Sequence, residues 1–174
     1  MIYIIDSLLV FLFCVIVFQD FKFRAISWFI LPLLTAVLFY KASTVLAYPI
    51  IFKYLVFNVS FLVIQFIGLT IYMSLRNKKI VNIIDSSIGL GDLLLLVVLC
   101  FAFSPANYIL FYICSSIFTL IGFVVFKLLS KKETIEIPLA GAQSCFLVLL
   151  IAFNFFFSPV LFYSDDLVLS LIGV

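Results

Sequence analysis

The chain's capacity for chemistry rests on its carboxylates. It has no histidine, which removes Ser-His-Asp and Cys-His catalysis, His-ligated metals and His proton relays. Cys14, Cys100, Cys114 and Cys145 all lie in apolar runs and none forms a CxxC pair. They read as packing residues, not as zinc ligands or redox centres. Eight acidic residues remain. Two of them, Asp20 and Asp92, fall at the ends of long apolar runs, where a charge is costly and needs an account. Two carboxylates at close range cannot both ionise cheaply, so one keeps its proton. Such a pair does general acid/base work: the charged member activates water and the protonated member donates to a carbonyl oxygen.

The elements that must bring these residues together are membrane helices. Hydrophobic residues make up 67% of the 174 positions and charged residues 10%, against about 45–50% and 25% in an average soluble domain. A soluble fold could not cover that much apolar surface with so few charges. The composition excludes a soluble enzyme, a disordered region, a coiled coil and a disulfide scaffold, and a net charge of +2 gives no reason to expect a nucleic-acid partner. Six apolar runs approach the ~20 residues that span a bilayer: Ile2–Phe18, Ile26–Tyr40, Tyr54–Leu75, Ile88–Phe103, Tyr108–Leu129 and Pro138–Phe157. The second extends to Leu46 if Lys41 snorkels, and the fourth, which holds Gly89, Gly91 and Asp92, is expected to be irregular in its first turns. Period-two alternation is absent, so a barrel is excluded. The fold expected is an all-α polytopic bundle of six transmembrane helices over 1–158, with a short, interfacial or re-entrant tail over 159–174. Met1–Phe18 lacks a basic n-region and a small-residue cleavage site, so it reads as a retained first helix.

Basic residues set the orientation. Lys22 and Arg24 follow the first run; Arg76, Lys78 and Lys79 follow the third; Lys127, Lys131 and Lys132 flank the connection from the fifth to the sixth. Those loops are expected in the cytoplasm, with both termini on the other side. Asp20 and Asp92 then share the cytoplasmic face, although 72 positions separate them.

Asp92 closes Gly89-Leu90-Gly91-Asp92. Two glycines one residue apart permit positive φ and close backbone approach, which would let an extended substrate lie beside the carboxylate. The plainer reading makes Asp92 a helix cap. Lys22 and Arg24 chiefly set topology, with charge pairing to Asp20 as a further role. Asp85, Glu133 and Glu136 read as solvated loop charges. Asn58-Val59-Ser60 fits a glycosylation pattern but sits inside a span. Gln65 and Asn154 are expected to bond between helices, and Trp28 with Tyr3, Tyr40, Tyr48, Tyr108 and Tyr163 to anchor the interface.

Gly89-Leu90-Gly91-Asp92 at the start of a membrane helix resembles the GxGD motif of the type IV prepilin peptidases, a family of integral-membrane aspartyl proteases. Asp20-Phe21-Lys22-Phe23-Arg24-Ala25-Ile26 is similar to the family's Asp-x-(Lys/Arg)-x-Arg-x-Ile stretch. Ile137-Pro138-Leu139-Ala140-Gly141 resembles, more weakly, the Ile-Pro-Phe-Gly-type opening of its last helix. The resemblance covers about Ile2 to Phe157. It implies that Asp20 and Asp92 are the catalytic pair, that Gly89 and Gly91 support substrate approach, and that the substrate is a prepilin-like protein with a basic leader before a hydrophobic helix. It places the chain in a bacterial inner membrane, in contact with lipid. Larger relatives carry a cytoplasmic zinc-binding insertion and methylate the new N-terminus; this chain has no such insertion, so neither a metal nor another cofactor is expected. Leu94 stands where many relatives have lysine, and Ser27-Trp28 where many have Pro-Asn.

The leading function is therefore an aspartic endopeptidase at the membrane edge. The alternatives are a non-enzymatic membrane subunit of a pilus or secretion assembly with the same fold, and a small proton- or cation-coupled transporter using the two aspartates.

Overall fold

The computed structural model describes residues 2–78, 89–129, 138–157 and 162–165. Asp85, Glu133, Glu136, Asp166 and the side chain of Asn154 lie outside the described residues. The described chain is all helical: α1 (Ile2–Phe23), α2 (Ile30–Val45), α3 (Tyr48–Asn77), α4 (Leu90–Leu99), α5 (Pro105–Leu129) and α6 (Leu139–Phe157), with no strand among the described residues. Phe, Ile and Val favour strands in water. In an apolar solvent every backbone amide must be satisfied within its own segment, and that requirement selects helix. Over Tyr3–Phe23, Tyr48–Asn77 and Pro105–Leu128 the helices are long and apolar enough to cross a membrane, while α2, α4 and α6 are shorter apolar helices.

The core runs along α1. Leu9, Leu12, Phe13 and Ile16 are buried, and α1 packs most extensively on α6, whose buried stripe is Ala140, Gln143, Ser144, Leu147 and Ile151. Phe103 stacks on Phe111 at 4.9 Å between centroids, and Phe146 packs against both Phe111 and Phe118. Large apolar side chains such as Ile64, Ile71, Leu120 and Val124 stay exposed. This is the outward surface that a lipid-facing bundle presents.

Several boundaries differ from the apolar runs. Helix α1 continues past Phe18 to Phe23, which keeps Asp20 on the helix, near its end, as expected. Helix α4 has 10 residues, about 15 Å of rise, and cannot span a bilayer alone. Its first turn is regular, with the amides of Asp92 and Leu93 both donating to the Gly89 carbonyl. The shortening comes at its other end, where Cys100–Phe103 forms turns. Asn58 explains how those turns are tolerated: its Nδ2 donates to the carbonyls of Cys100 and Phe103, both at 3.0 Å. Asn58 thus supplies the interhelical bonding expected of Gln65, which is exposed on α3.

Lys41 does not snorkel. It is 7% exposed and its ammonium pairs with Asp6 at 2.5 Å, over the Phe162 ring. The described part of the tail, residues 162–165, packs against the bundle. Phe162 and Tyr163 are buried, the Phe162 carbonyl accepts from the Ser104 amide, and Asn107 donates to the Ser164 carbonyl. Tyr163 and Tyr108 are therefore core residues instead of interface anchors. Tyr108 is fully buried and its hydroxyl donates to the Leu96 carbonyl at 2.9 Å. Trp28, Tyr3, Tyr40 and Tyr48 are exposed, as interface anchors would be.

Candidate active site

The candidate site forms where α6 begins. Pro138 precedes the helix, and its carbonyl accepts from the Ala142 amide. A helix leaves its first amides without internal partners, and a Ser, Thr, Asp or Asn before it would normally cap them. Proline has no side-chain acceptor, so the amides of Ala140 and Gly141 must be satisfied from elsewhere. Asp92 Oδ1 accepts from Ala140 N at 2.8 Å, and Asp20 Oδ2 accepts from Gly141 N at 2.5 Å. Two carboxylates, from α1 and α4, are thereby held on consecutive amides of a third helix. Consecutive Cα atoms are about 3.8 Å apart, so the two acids share one site. Asp20 also acts electrostatically on Asp92. The positive end of the α6 dipole faces both.

Each acid has local support. Asp20 is buried and Asp92 half-buried. Helix α1 closes on Arg24, which takes φ 54° and donates its amide to the Asp20 carbonyl at 3.1 Å, a left-handed C-terminal cap. The Arg24 charge acts on the Asp20 carboxylate. Lys22 points to other partners: its ammonium lies 5.0 and 5.1 Å from the ring centroids of Phe18 and Phe23. Gln19 Oε1 accepts from the Ser27 amide at 2.9 Å and fixes the connection to α2.

The glycines act by proximity, not by left-handed backbone. Gly89 caps α4 at φ −65° and ψ 141°, and Gly91 lies in its first turn without positive φ. A Cβ on Gly89 would come within 3.2 Å of Asp92 Oδ2. The Asp92 carboxylate thus folds back over the N-cap residue of its own helix, the placement an acid takes in a capping box. A capping position for Asp92 on α4 is compatible with its contact to the Ala140 amide of α6. A Cβ on Gly91 would meet Ile26 at 3.5 Å, an ordinary contact, so the stretch after Asp20 packs on the first turn of α4. At Gly141 a Cβ would come within 2.8 Å of Phe21 and 2.9 Å of Asp20 Oδ2. The described residues of the three sequence stretches singled out above thus meet in space.

The Ala140 and Gly141 amides, and Gln143 one turn further along α6, had no individual role in the sequence reading. Their available signal was a proline followed by small residues at the start of an apolar helix. Among the described residues no group of three or more Cys, Asp or Glu is placed to hold a metal ion. Comparison with known protein families, curated proteins and solved structures finds no match to this chain.

Proposed function

We propose that this protein is a membrane aspartic endopeptidase that cuts a basic leader from prepilin-like substrates, with Asp20 and Asp92 as the catalytic pair. The observation that carries the reading is the placement of both carboxylates on the consecutive amides of Ala140 and Gly141. Capping alone could be met by any neutral acceptors, whereas here both acceptors are carboxylates, brought from two different helices. Two acids sharing a half-dry helix terminus make a proton-sharing dyad, the water-activating arrangement of aspartic proteases. The six-span arrangement with both termini outside, the bacterial inner membrane and the pilus or secretion context belong to the same proposal. They rest on the basic loops and on the resemblance of the Asp20, Gly89–Asp92 and Ile137–Gly141 stretches to the prepilin peptidases.

In this mechanism the charged carboxylate takes a proton from water as the water attacks the scissile carbonyl, and the protonated partner donates to the carbonyl oxygen. Collapse of the tetrahedral intermediate breaks the C–N bond and returns a proton to the leaving amine. The bonds from the α6 amides to Asp92 and Asp20 are ones that a non-enzymatic subunit could also keep, so activity must decide. The measurement is cleavage of a leader-bearing peptide by wild type, Asp20→Asn, Asp92→Asn and the double variant at matched membrane levels. Each single variant should lose nearly all activity, and the double should lose little more, because the pair acts as a unit. The wild-type pH–rate profile should be a bell with one limb for each macroscopic ionisation. A single variant that cleaves near the wild-type rate would refute the two-carboxylate mechanism and leave the structural-subunit reading.

A further inference from the structure

Gln143 lies one turn into α6 and is 1% exposed, yet its Oε1 finds no hydrogen-bond partner among the described residues. Its neighbour Ser144 is fully buried with its hydroxyl in the same condition. Buried acceptors without partners are rare, and each calls for an explanation such as an ordered water. Direction supplies one here. Helical side chains lean toward the N-terminus and cover the preceding turn. Gln143 follows Leu139 by four residues and Ala140 by three, so a side chain with the usual helical lean lies over the turn whose amides hold Asp92 and Asp20. A carbonyl oxygen accepts and cannot donate. What the position lacks is a donor small enough to enter a buried site and able to face a carboxylate as well.

We propose that Gln143 Oε1 accepts a hydrogen bond from a buried water that it shares with the aspartate pair, making Gln143 the positioning residue for the hydrolytic water. The proposal rests on the peptidase reading for the water's role as nucleophile. One O–H of that water points to Gln143 and the other to the charged carboxylate, which leaves a lone pair aimed at the scissile carbonyl carbon. On attack the C–O bond forms, the carboxylate takes the proton facing it, and the protonated partner donates to the carbonyl oxygen. Gln143 exchanges no proton; it fixes the water's orientation.

Two measurements test this. The first is steady-state cleavage of a synthetic peptide with a basic leader and a hydrophobic helix, by wild type, Gln143→Leu and Gln143→Glu. Leucine fills the site without an acceptor, so kcat should fall about 100-fold, the usual cost of a misplaced reactant, with KM within about twofold. Glutamate restores an acceptor and adds a third ionisable group. It should regain at least about tenfold over leucine and move the pH profile, which a purely structural residue would not do. An unchanged kcat in Gln143→Leu, a rise in KM alone, or no rescue by glutamate would overturn the proposal. A rise in KM alone would mean that Oε1 meets a substrate amide instead.

The second measurement is a high-resolution structure of wild type and of Gln143→Leu. A water bonded to both Gln143 Oε1 and a dyad carboxylate, lost in the variant, is expected; an empty site overturns the proposal. The two arms separate the failures. If wild type cleaves no leader, the peptidase reading falls and the nucleophile role falls with it, while the bound water stands or falls on the structures.

Discussion

Gly141→Ala tests the site without touching either carboxylate. Gly141 lies in the first turn of α6, so alanine fits its backbone and improves helix propensity by about 1 kcal/mol. The added Cβ, however, would sit 2.9 Å from Asp20 Oδ2 and 2.8 and 2.9 Å from two Phe21 ring atoms. Contacts that short force a shift. The exposed Phe21 ring has room to swing away, whereas Asp20 Oδ2 is held at 2.5 Å by the Gly141 amide itself. Relief therefore lengthens or breaks a charge-assisted hydrogen bond, a loss of about 1.5–3 kcal/mol. Set against the propensity gain, folding stability should fall by only about 0.5–2 kcal/mol. If the same bond holds Asp20 in its working position, kcat should fall about 10- to 150-fold. The assay is leader cleavage at matched levels, with a thermal melt of the detergent-solubilised protein as the control. A well-folded Gly141→Ala variant with wild-type kcat would refute the claim that the Gly141 amide positions Asp20. A melting temperature that collapses together with activity would instead make the residue structural.

Two further outcomes concern the frame. Lys41→Met should destabilise the bundle by about 3–5 kcal/mol because it leaves the Asp6 carboxylate without its cation, while Lys41→Met with Asp6→Leu should recover most of that loss; melting midpoints of the three proteins check it, and equal midpoints for the single and double variants would show that the pair is not coupled. Asn58→Ala should cost about 1–3 kcal/mol by stranding the carbonyls of Cys100 and Phe103 in the turn after α4, read as a lower melting midpoint with the spectrum of the folded helices unchanged.

Composition was enough to determine the class. With two-thirds of the residues hydrophobic, apolar helices were the expected elements, and each of the six runs contains or overlaps a helix. The two candidate acids were also legible, because a charge at the end of an apolar run stands out against its neighbours. Hydropathy could not reveal the helix ends or the partners. Lys41 reads as a snorkelling residue until Asp6, 35 positions away, is seen to pair with it. Tyr108 reads as an interface anchor until Leu96 is seen to accept its hydroxyl. Glycines at 89 and 91 suggest unusual φ, but neither takes positive φ, and only at Gly89 would a side chain crowd its neighbour, Asp92.

The decisive arrangement is tertiary. That α6 opens behind a proline, with two uncapped amides that take one acid from α1 and another from α4, depends on how three helices pack. Hydrogen bonds spanning 48 and 121 residues leave no periodicity in the chain. A sequence records which groups need partners, and only the fold decides which partners arrive, because distance along the chain says nothing about distance across a bundle.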